Sequence, residues 1–532
     1  MSEKRRHQDI WLPVFGIGGA VIICFLGLYL NRVFYHDDAF ITLRYAYNFI
    51  HGHGLVWNIN EPVEGYTNFL YLLIISALGF LGIDLVLASR IVNLTAFFIL
   101  IFFTAHQLFF VSKTKAQETR VSLLPFMLIL TPFPLFVWIW GGLEGPLFTL
   151  FCTMAIWLFS ANVMDQGSKK HILTCGLIFA LACLTRPDGI LFVWVSVLFL
   201  LRGSGRGLRS TALFLCSFSL VYLPYLLWKY LYYGDIFPNT FYAKVTAFNV
   251  WKLERGFKYI FSYSITPPFI FLLLYLAVPW AIYHRTLNRK VVYILSCLCL
   301  YLFYVVFIGG DPMPAYRLIV PLIPSAVLAL YLLTKDHIIK FKPSSLSLCY
   351  GLVLCLMSGQ LFHPGVNQRR MITAAFIGEI VGEFINMTWP ENTLIALNTA
   401  GSTPYFALNY RYIDMLGLND ALIARREIQN YRLPWQKIAG HAKGDGNYVL
   451  ARKPDYIIVG PVQGTTIDDP WFLSDLEMSE NPEFSAQYIM YQVQLDVRDK
   501  TGYELYDLTR TGMLTFTYYQ NINQTGAQDA AG

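Results

Sequence analysis

The sequence predicts a polytopic α-helical membrane protein with a mixed α/β soluble domain at its C-terminal end. Three observations predict it. Of 532 residues, 55% are hydrophobic and 14% charged, with mean hydropathy +0.47, where a soluble chain carries roughly a quarter charged residues. Apolar runs long enough to cross about 30 Å of hydrocarbon recur along the chain. After about residue 363, charges spread evenly and no such run follows. The net charge of +6 belongs mostly to short loops between the runs, so nucleic acid is a poor partner. All nine cysteines lie within apolar runs, which predicts small core residues rather than disulfides or a thiolate metal site.

The basic stretch "MSEKRRHQDI" precedes an apolar run from Trp11 to Leu30. Its length and the lack of a small-residue cleavage site predict a retained span rather than a signal peptide. Further runs sit near 89–112, 121–139, 146–163, 171–185, 189–201, 211–231, 264–283, 291–308, 315–334 and 345–362. The segment 67–84 is ambiguous. Taken as an interfacial or re-entrant helix, it leaves every basic loop on the side of the N-terminus: Lys113, Lys115 and Arg120; Lys169 and Lys170; Arg202, Arg206 and Arg209; Arg285, Arg289 and Lys290; Lys335, Lys340 and Lys342. The positive-inside rule then predicts about eleven spans, a cytoplasmic N-terminus and an extracytoplasmic C-terminus. The expected division is a transmembrane catalytic domain over 1–362 and a periplasmic domain over 363–532, with a disordered tail.

The opposite set of loops holds the chemistry: "HDDAFITLRYAYN", "EPVEGYTN", "WGGLEGP", "LTRPDG", "YYGDIFPNTFYAK" and "GGDPMPAYR". As a helix, 37–51 places Asp37, Arg44, Asn48 and His51 on one polar stripe, with Ala39, Leu43, Ala46 and Ile50 opposite. Such a helix is expected to lie in the interface with its apolar face in lipid. Adjacent acids diverge on a helix, so at most one of Asp37 and Asp38 is the reactive group and the other positions Arg44 or a backbone amide. Arg186 and Arg317 stand at span ends against the positive-inside trend. Each reads either as a phosphate clamp, for which the guanidinium fork is suited, or as an ion pair with Asp188 or Asp311. Lys244 is a third cation of this kind. Glu64 and Glu144, beside glycines, hold sugar hydroxyls or cap helices. In the soluble part, "GHAKGDGNYVL" sets His441 and Asp445 in a Gly-rich loop, which touches substrate or is a surface turn. The ten histidines show no metal-ligand spacing within a helix, and no cofactor is expected.

"DDAFITLRYAYNFIHGHGLVWNINEPVEGYTNFLY", "GLEGPLF", "LTRPDG", "YYGDIFPNTFYAK", "GGDPMPAYR" and "IDMLGLND…GHAKGDGNYVL" together resemble the GT-C class of membrane glycosyltransferases. Within that class they look most like the mycobacterial terminal arabinofuranosyltransferases and their bacterial relatives. The resemblance runs over most of the chain. It implies a GT-C fold of about 11 transmembrane helices plus interfacial helices, and an outer domain that contacts a glycan acceptor. It also implies transfer of a sugar, a pentofuranose such as arabinofuranose, from a polyprenyl-phosphate donor to an envelope glycan or lipid outside the cytoplasmic membrane. Asp37 or Asp38 is then the catalytic carboxylate, Asp37 by analogy to the class. Arg44, Arg186, Lys244 and Arg317 meet the donor phosphate, and Asn48, Glu64, Tyr66, Glu144, Asp188, Asp235, Asn239, Asp311, His441 and Asp445 line the substrate. The competing reading, a flippase for a lipid-linked sugar, calls for inverted repeats and charges in mid-span. A glycan-binding protein on a membrane anchor has no need of eleven spans.

Overall fold

The computed structural model describes residues 3–111, 116–164, 168–202, 207–244, 250–366 and 368–523. Lys113, Lys115 and Arg206 of the basic loops, and the tail from 524 onward, lie outside the described residues. The chain forms two compact units. One comprises Met1–Phe34, Ser89–Tyr225 and Phe248–Arg369, the other Tyr35–Ala88, Leu226–Ala247 and Arg370–Gly532.

Six helices among the described residues are long and apolar enough to cross a membrane: Val14–Asn31, Leu85–Phe109, Gly145–Val163, Gly207–Tyr233, Arg289–Ile308 and Pro343–Phe362. A seventh crossing is met if Glu118–Leu130 and Phe133–Trp140 count as one span bent by 41°. The bend falls at Pro132, which has no N–H to continue the ladder. The runs at 171–185, 189–201, 264–283 and 315–334 form helices of 17, 12, 14 and 16 residues. At 1.5 Å per residue these are shorter than the roughly 20-residue crossing. The ambiguous segment forms Phe69–Phe80, 12 residues or about 18 Å, too short to span. The protein is a multi-pass membrane protein. Side chains such as Phe15, Phe102, Leu220, Leu276 and Phe303 are exposed on helix exteriors, as an apolar solvent requires.

The first unit has a core of Phe148, Phe179, Phe192, Tyr293, Tyr301 and Leu322. All nine cysteines are free. Cys152, Cys175, Cys183 and Cys297 belong to this core. Cys216, Cys299 and Cys355 are exposed instead, which corrects their expected core role.

The second unit is built on a five-stranded sheet of order β2-β1-β3-β5-β4. The strands are β1 (Leu394–Leu397), β2 (Arg411–Asp414), β3 (Tyr456–Ile458), β4 (Tyr488–Asp496) and β5 (Met513–Asn521). β2 and β3 flank β1 in parallel, while β5 runs antiparallel to β3 and β4. β1, "LIAL", is buried throughout, as a central parallel strand must be, while β4 alternates toward solvent as an edge strand does. One sheet face packs on the helix Thr373–Thr388 through Ile377, Ile380, Val381 and Ile385, and Ile41, Tyr45, Leu55, Trp57, Tyr66 and Leu72 enter the same core. Three separate stretches of sequence therefore share one interior.

Candidate active site

The helix Asp37–Ile50 begins directly after the extended residue His36, whose Nδ1 accepts from Asp38 N at 3.2 Å. Two acids in the first turn suit the positive end of the helix dipole. Their surroundings differ. Asp37 is buried, and its Oδ1 accepts from Ser402 N at 2.8 Å and Ser402 Oγ at 2.6 Å. The loop leaving β1 comes this close because residue 401 is glycine. A Cβ there would stand 2.3 Å from the Asp37 carbonyl oxygen and 2.4 Å from Oδ2. Burial pushes the Asp37 carboxyl up to about 6, with the Ser402 hydrogen bonds opposing and the Asp38 charge adding. Asp38 leaves 32% of its side chain exposed.

The Asp38 charge reaches another predicted residue, His441, which also feels Lys244. His441 follows Gly440, which turns at φ +87°, and its ring stacks on Phe472 with centroids 5.6 Å apart. Burial pushes the imidazole below its ordinary value; the Asp38 charge opposes this and the Lys244 charge adds to it. At pH 7 the ring is neutral. Its Nδ1 has no hydrogen-bond partner among the described residues. Lys244 ends the helix Asn239–Lys244 and lies along Gly440, where a Cβ would be 3.6 Å from its Cε. The second unit thus gathers a half-exposed carboxylate, a neutral imidazole and an ammonium from three distant stretches of chain.

Other predicted residues serve the fold. Arg44 is 2% exposed and donates to the carbonyls of Trp57, Pro404, Ala407 and Tyr410, between the rings of Trp57 and Tyr412. This corrects its expected phosphate role, since the fork is used on backbone. The apolar side of the same helix is also covered, with Ala39, Leu43 and Ala46 fully buried, so that face does not lie open to lipid as expected. Asn48 donates to Val56 and Trp57 carbonyls, and Asn239 to those of Gly417, Leu418 and Asp420. Asp235 pairs with Arg425 at 2.9 Å and accepts from Tyr242. Asp445 caps the helix Gly446–Ala451, and the Tyr66 hydroxyl meets that of Tyr233 at 3.1 Å. Glu64 is buried with Oε2 2.7 Å from Lys229 Nζ.

In the first unit, Arg186 makes a two-point pair with Asp188, 3.0 Å on each side, and donates to Glu144 at 3.1 Å. The Tyr301 hydroxyl donates to Asp188 at 2.5 Å. Glu144 therefore turns its carboxylate to Arg186 rather than capping the helix Gly145–Leu158, which it precedes. Arg317 pairs with Asp311 at 2.7 Å. Both arginines take the ion-pair arrangement, and the acids of the first cluster outnumber its cation.

Sequence reasoning missed Gly401, Ser402, Phe472, Tyr301 and Lys229. Only Lys229 carried a signal, a cation inside the apolar run 211–231.

The membrane helices have a GT-C fold, and a small sheet domain accompanies them at the C-terminal end. Two similar solved structures are both of ArnT from Cupriavidus metallidurans. The apo state gives TM-score 0.52 at 13% identity, covering 78% of this chain and 89% of that one. The undecaprenyl phosphate-bound state gives 0.51 at 13% identity, covering 78% and 88%. Residues 368–507 match a family described as "Domain of unknown function (DUF8728)". No curated protein matches the sequence.

Proposed function

We propose that the protein is a glycosyltransferase that moves a sugar from a polyprenyl-phosphate donor to an envelope glycan or lipid acceptor on the outer face of the cytoplasmic membrane. The sugar is a pentofuranose such as arabinofuranose on the strength of the motif resemblance. The reading places a transmembrane catalytic domain over 1–362 and an outer, periplasmic domain over 363–532, which shares its core with the segments 35–88 and 226–247. The observation that carries it is a buried Asp37 and a part-exposed Asp38 opening one helix, with Lys244 lying along Gly440 next to His441, in a chain with the GT-C fold. The bound undecaprenyl phosphate of one ArnT structure supports the donor class.

In this reaction Asp38 takes the proton of the acceptor hydroxyl as its oxygen bonds to the anomeric carbon, and the sugar–phosphate bond breaks with the electron pair leaving on the lipid phosphate. A phosphate is a good leaving group, so charge at its oxygens replaces a general acid, and Lys244 supplies that charge. His441, neutral, receives or donates a hydrogen bond at the sugar. Asp37, held by Ser402, fixes the helix start that presents Asp38. Arg186 and Arg317 shape the first unit through their ion pairs. The flippase alternative wants charges in mid-span, whereas Lys229 sits one turn from the end of the helix Gly207–Tyr233.

Asp37→Asn and Asp38→Asn, assayed singly for transfer from an isolated polyprenyl-phosphate sugar, test the reading. Asp38→Asn is expected to lose about 10²–10⁴-fold, the range for a positioned general base, and Asp37→Asn less. Full activity in both variants overturns the mechanism.

A further inference from the structure

The surface beside His441 carries an aromatic feature that the transfer chemistry does not use. Trp435 and Trp471 stack with centroids 5.3 Å apart and planes 8° from parallel. Trp435 is 41% exposed, and neither indole belongs to a core cluster of the second unit. Two large rings stacked in water bury little, so their stability contribution does not account for them.

Their position does. Trp471 is followed by Phe472, which stacks on His441, whose imidazole lies in the field of Asp38. Asp469 accepts from Trp471 Nε1 at 3.4 Å, and Asp468 beside it is exposed. In a parallel stack the inner faces cover each other and an outer indole face stays open, with the negative end of the ring quadrupole above it. A sugar ring presents the complement: a face of C–H bonds, each weakly positive, with hydroxyls around the edge for carboxylates to accept from. The alternative role for exposed tryptophans, anchoring in a membrane interface, fits less well. Asp469 accepts from Trp471 and the exposed Asp468 is its neighbour in sequence, and ionised carboxylates are costly to take into an apolar interface.

We propose that Trp435 and Trp471 form a platform that binds a sugar ring of the acceptor glycan, one or more residues away from the ring that receives the transfer. The proposal rests on the glycosyltransferase reading for the identity of its ligand as acceptor. It assigns specificity for a chain of sugars over a single sugar to residues outside the transfer site.

The test uses the purified full-length chain in detergent with two probes, mannotetraose and a linear arabinofuranosyl tetrasaccharide, and binding read by saturation-transfer NMR. Trp435→Ala is expected to weaken binding of the better probe about tenfold, the worth of one stacking contact, and Trp435→Phe to restore most of it. In transfer assays the same change raises the tetrasaccharide KM with little change in kcat and leaves a monosaccharide acceptor unaffected. Equal binding by wild type and Trp435→Ala, or no binding of either probe at millimolar concentration, overturns the platform. So does a smaller quenching by brominated lipid in nanodiscs for Trp435→Phe than for wild type, which would place that indole in the membrane. The binding readout needs no turnover. Absence of transfer therefore counts against the glycosyltransferase reading alone, and unchanged binding against the platform alone.

Discussion

Replacing Asp37 by Asn separates the cost of burying a charge from its use. Burial moves this carboxyl from its ordinary 3.8 to about 6. Between those values the folded chain holds a proton that the unfolded chain has released. Folding then takes up a proton, and stability falls as pH rises from about 4 to about 6, levelling above. A shift of about two units corresponds to about 3 kcal/mol. Asn removes the titration and keeps the two Ser402 contacts, because Ser402 N and Ser402 Oγ both donate to Oδ1, which an amide oxygen replaces; the Gly401 N–H is the further donor to this carboxylate. The stability difference between Asp37→Asn and wild type should therefore grow in favour of the variant by up to about 3 kcal/mol from pH 4 to pH 7. Asp414 and Asp475, also pushed up to about 6 by burial, titrate in both proteins and cancel. The assay is unfolding in detergent across that range, read as variant minus wild type. Parallel curves, or a variant weaker by more than about 1 kcal/mol at pH 7, would refute the reasoning and mean that the ionised carboxylate has a partner it needs.

Three further outcomes follow from buried groups. Lys229→Met leaves Glu64 buried without its cation and should cost about 3–5 kcal/mol in unfolding, with Glu64→Gln added in the same chain recovering part of it; full additivity of the two changes would show that the pair is not coupled. Arg44→Lys keeps the charge but loses the fork that serves four carbonyls, so a drop of roughly 3 kcal/mol in stability is expected. Wild-type stability in that variant would mean the carbonyls find other donors. Gly401→Ala places a methyl 2.4 Å from Asp37 Oδ2 and should lower both stability, by about 1–3 kcal/mol, and transfer activity. An active, stable variant would show that the loop after β1 moves freely.

Periodicity within one element was legible; partnership across hundreds of residues was not. The polar stripe of Asp37, Arg44, Asn48 and His51 has helical spacing, and a helix runs Asp37–Ile50. That both its faces are covered depends on carbonyls some 360 residues away in sequence, near Pro404 and Ala407, about which the local pattern says nothing. In the sheet, the short apolar runs of "TLIALNTAG", "DYIIVG" and "AQYIMYQVQLDV" are visible in the sequence, and they carry β1, β3 and β4. β2 is four residues beginning with a charge, and β5, "MLTFTYYQN", interleaves Thr and Gln, so neither rose above its surroundings. The Arg186–Asp188 pair could be weighed from spacing alone, since only Pro187 separates the partners. Glu144, 42 positions earlier, could not.

Asp37, Asp38, Glu64, Lys229 and Lys244 fold with the sheet as one unit, and this has a consequence for the part beyond residue 363 taken alone. Ile41, Tyr45, Leu55, Trp57, Tyr66 and Leu72 are buried in the same cluster as Ile377, Ile380, Tyr412 and Phe516. Burying a large apolar side chain is worth about 1.5–3 kcal/mol, so six of them amount to on the order of 10 kcal/mol. That is comparable to the whole stability of a typical domain. Residues 363–532 expressed alone should therefore expose the surface these side chains cover, bind a hydrophobic dye and lack a cooperative unfolding transition, with far-UV signal from the sheet retained. Supplying 35–88 as a linked segment should restore near-UV signal from the Trp57–Tyr412 contact. A cooperative transition in the isolated 363–532 would show that the sheet stands without the helix that carries Asp37 and Asp38. The geometry of the two acids would then depend on a docking step rather than on folding itself.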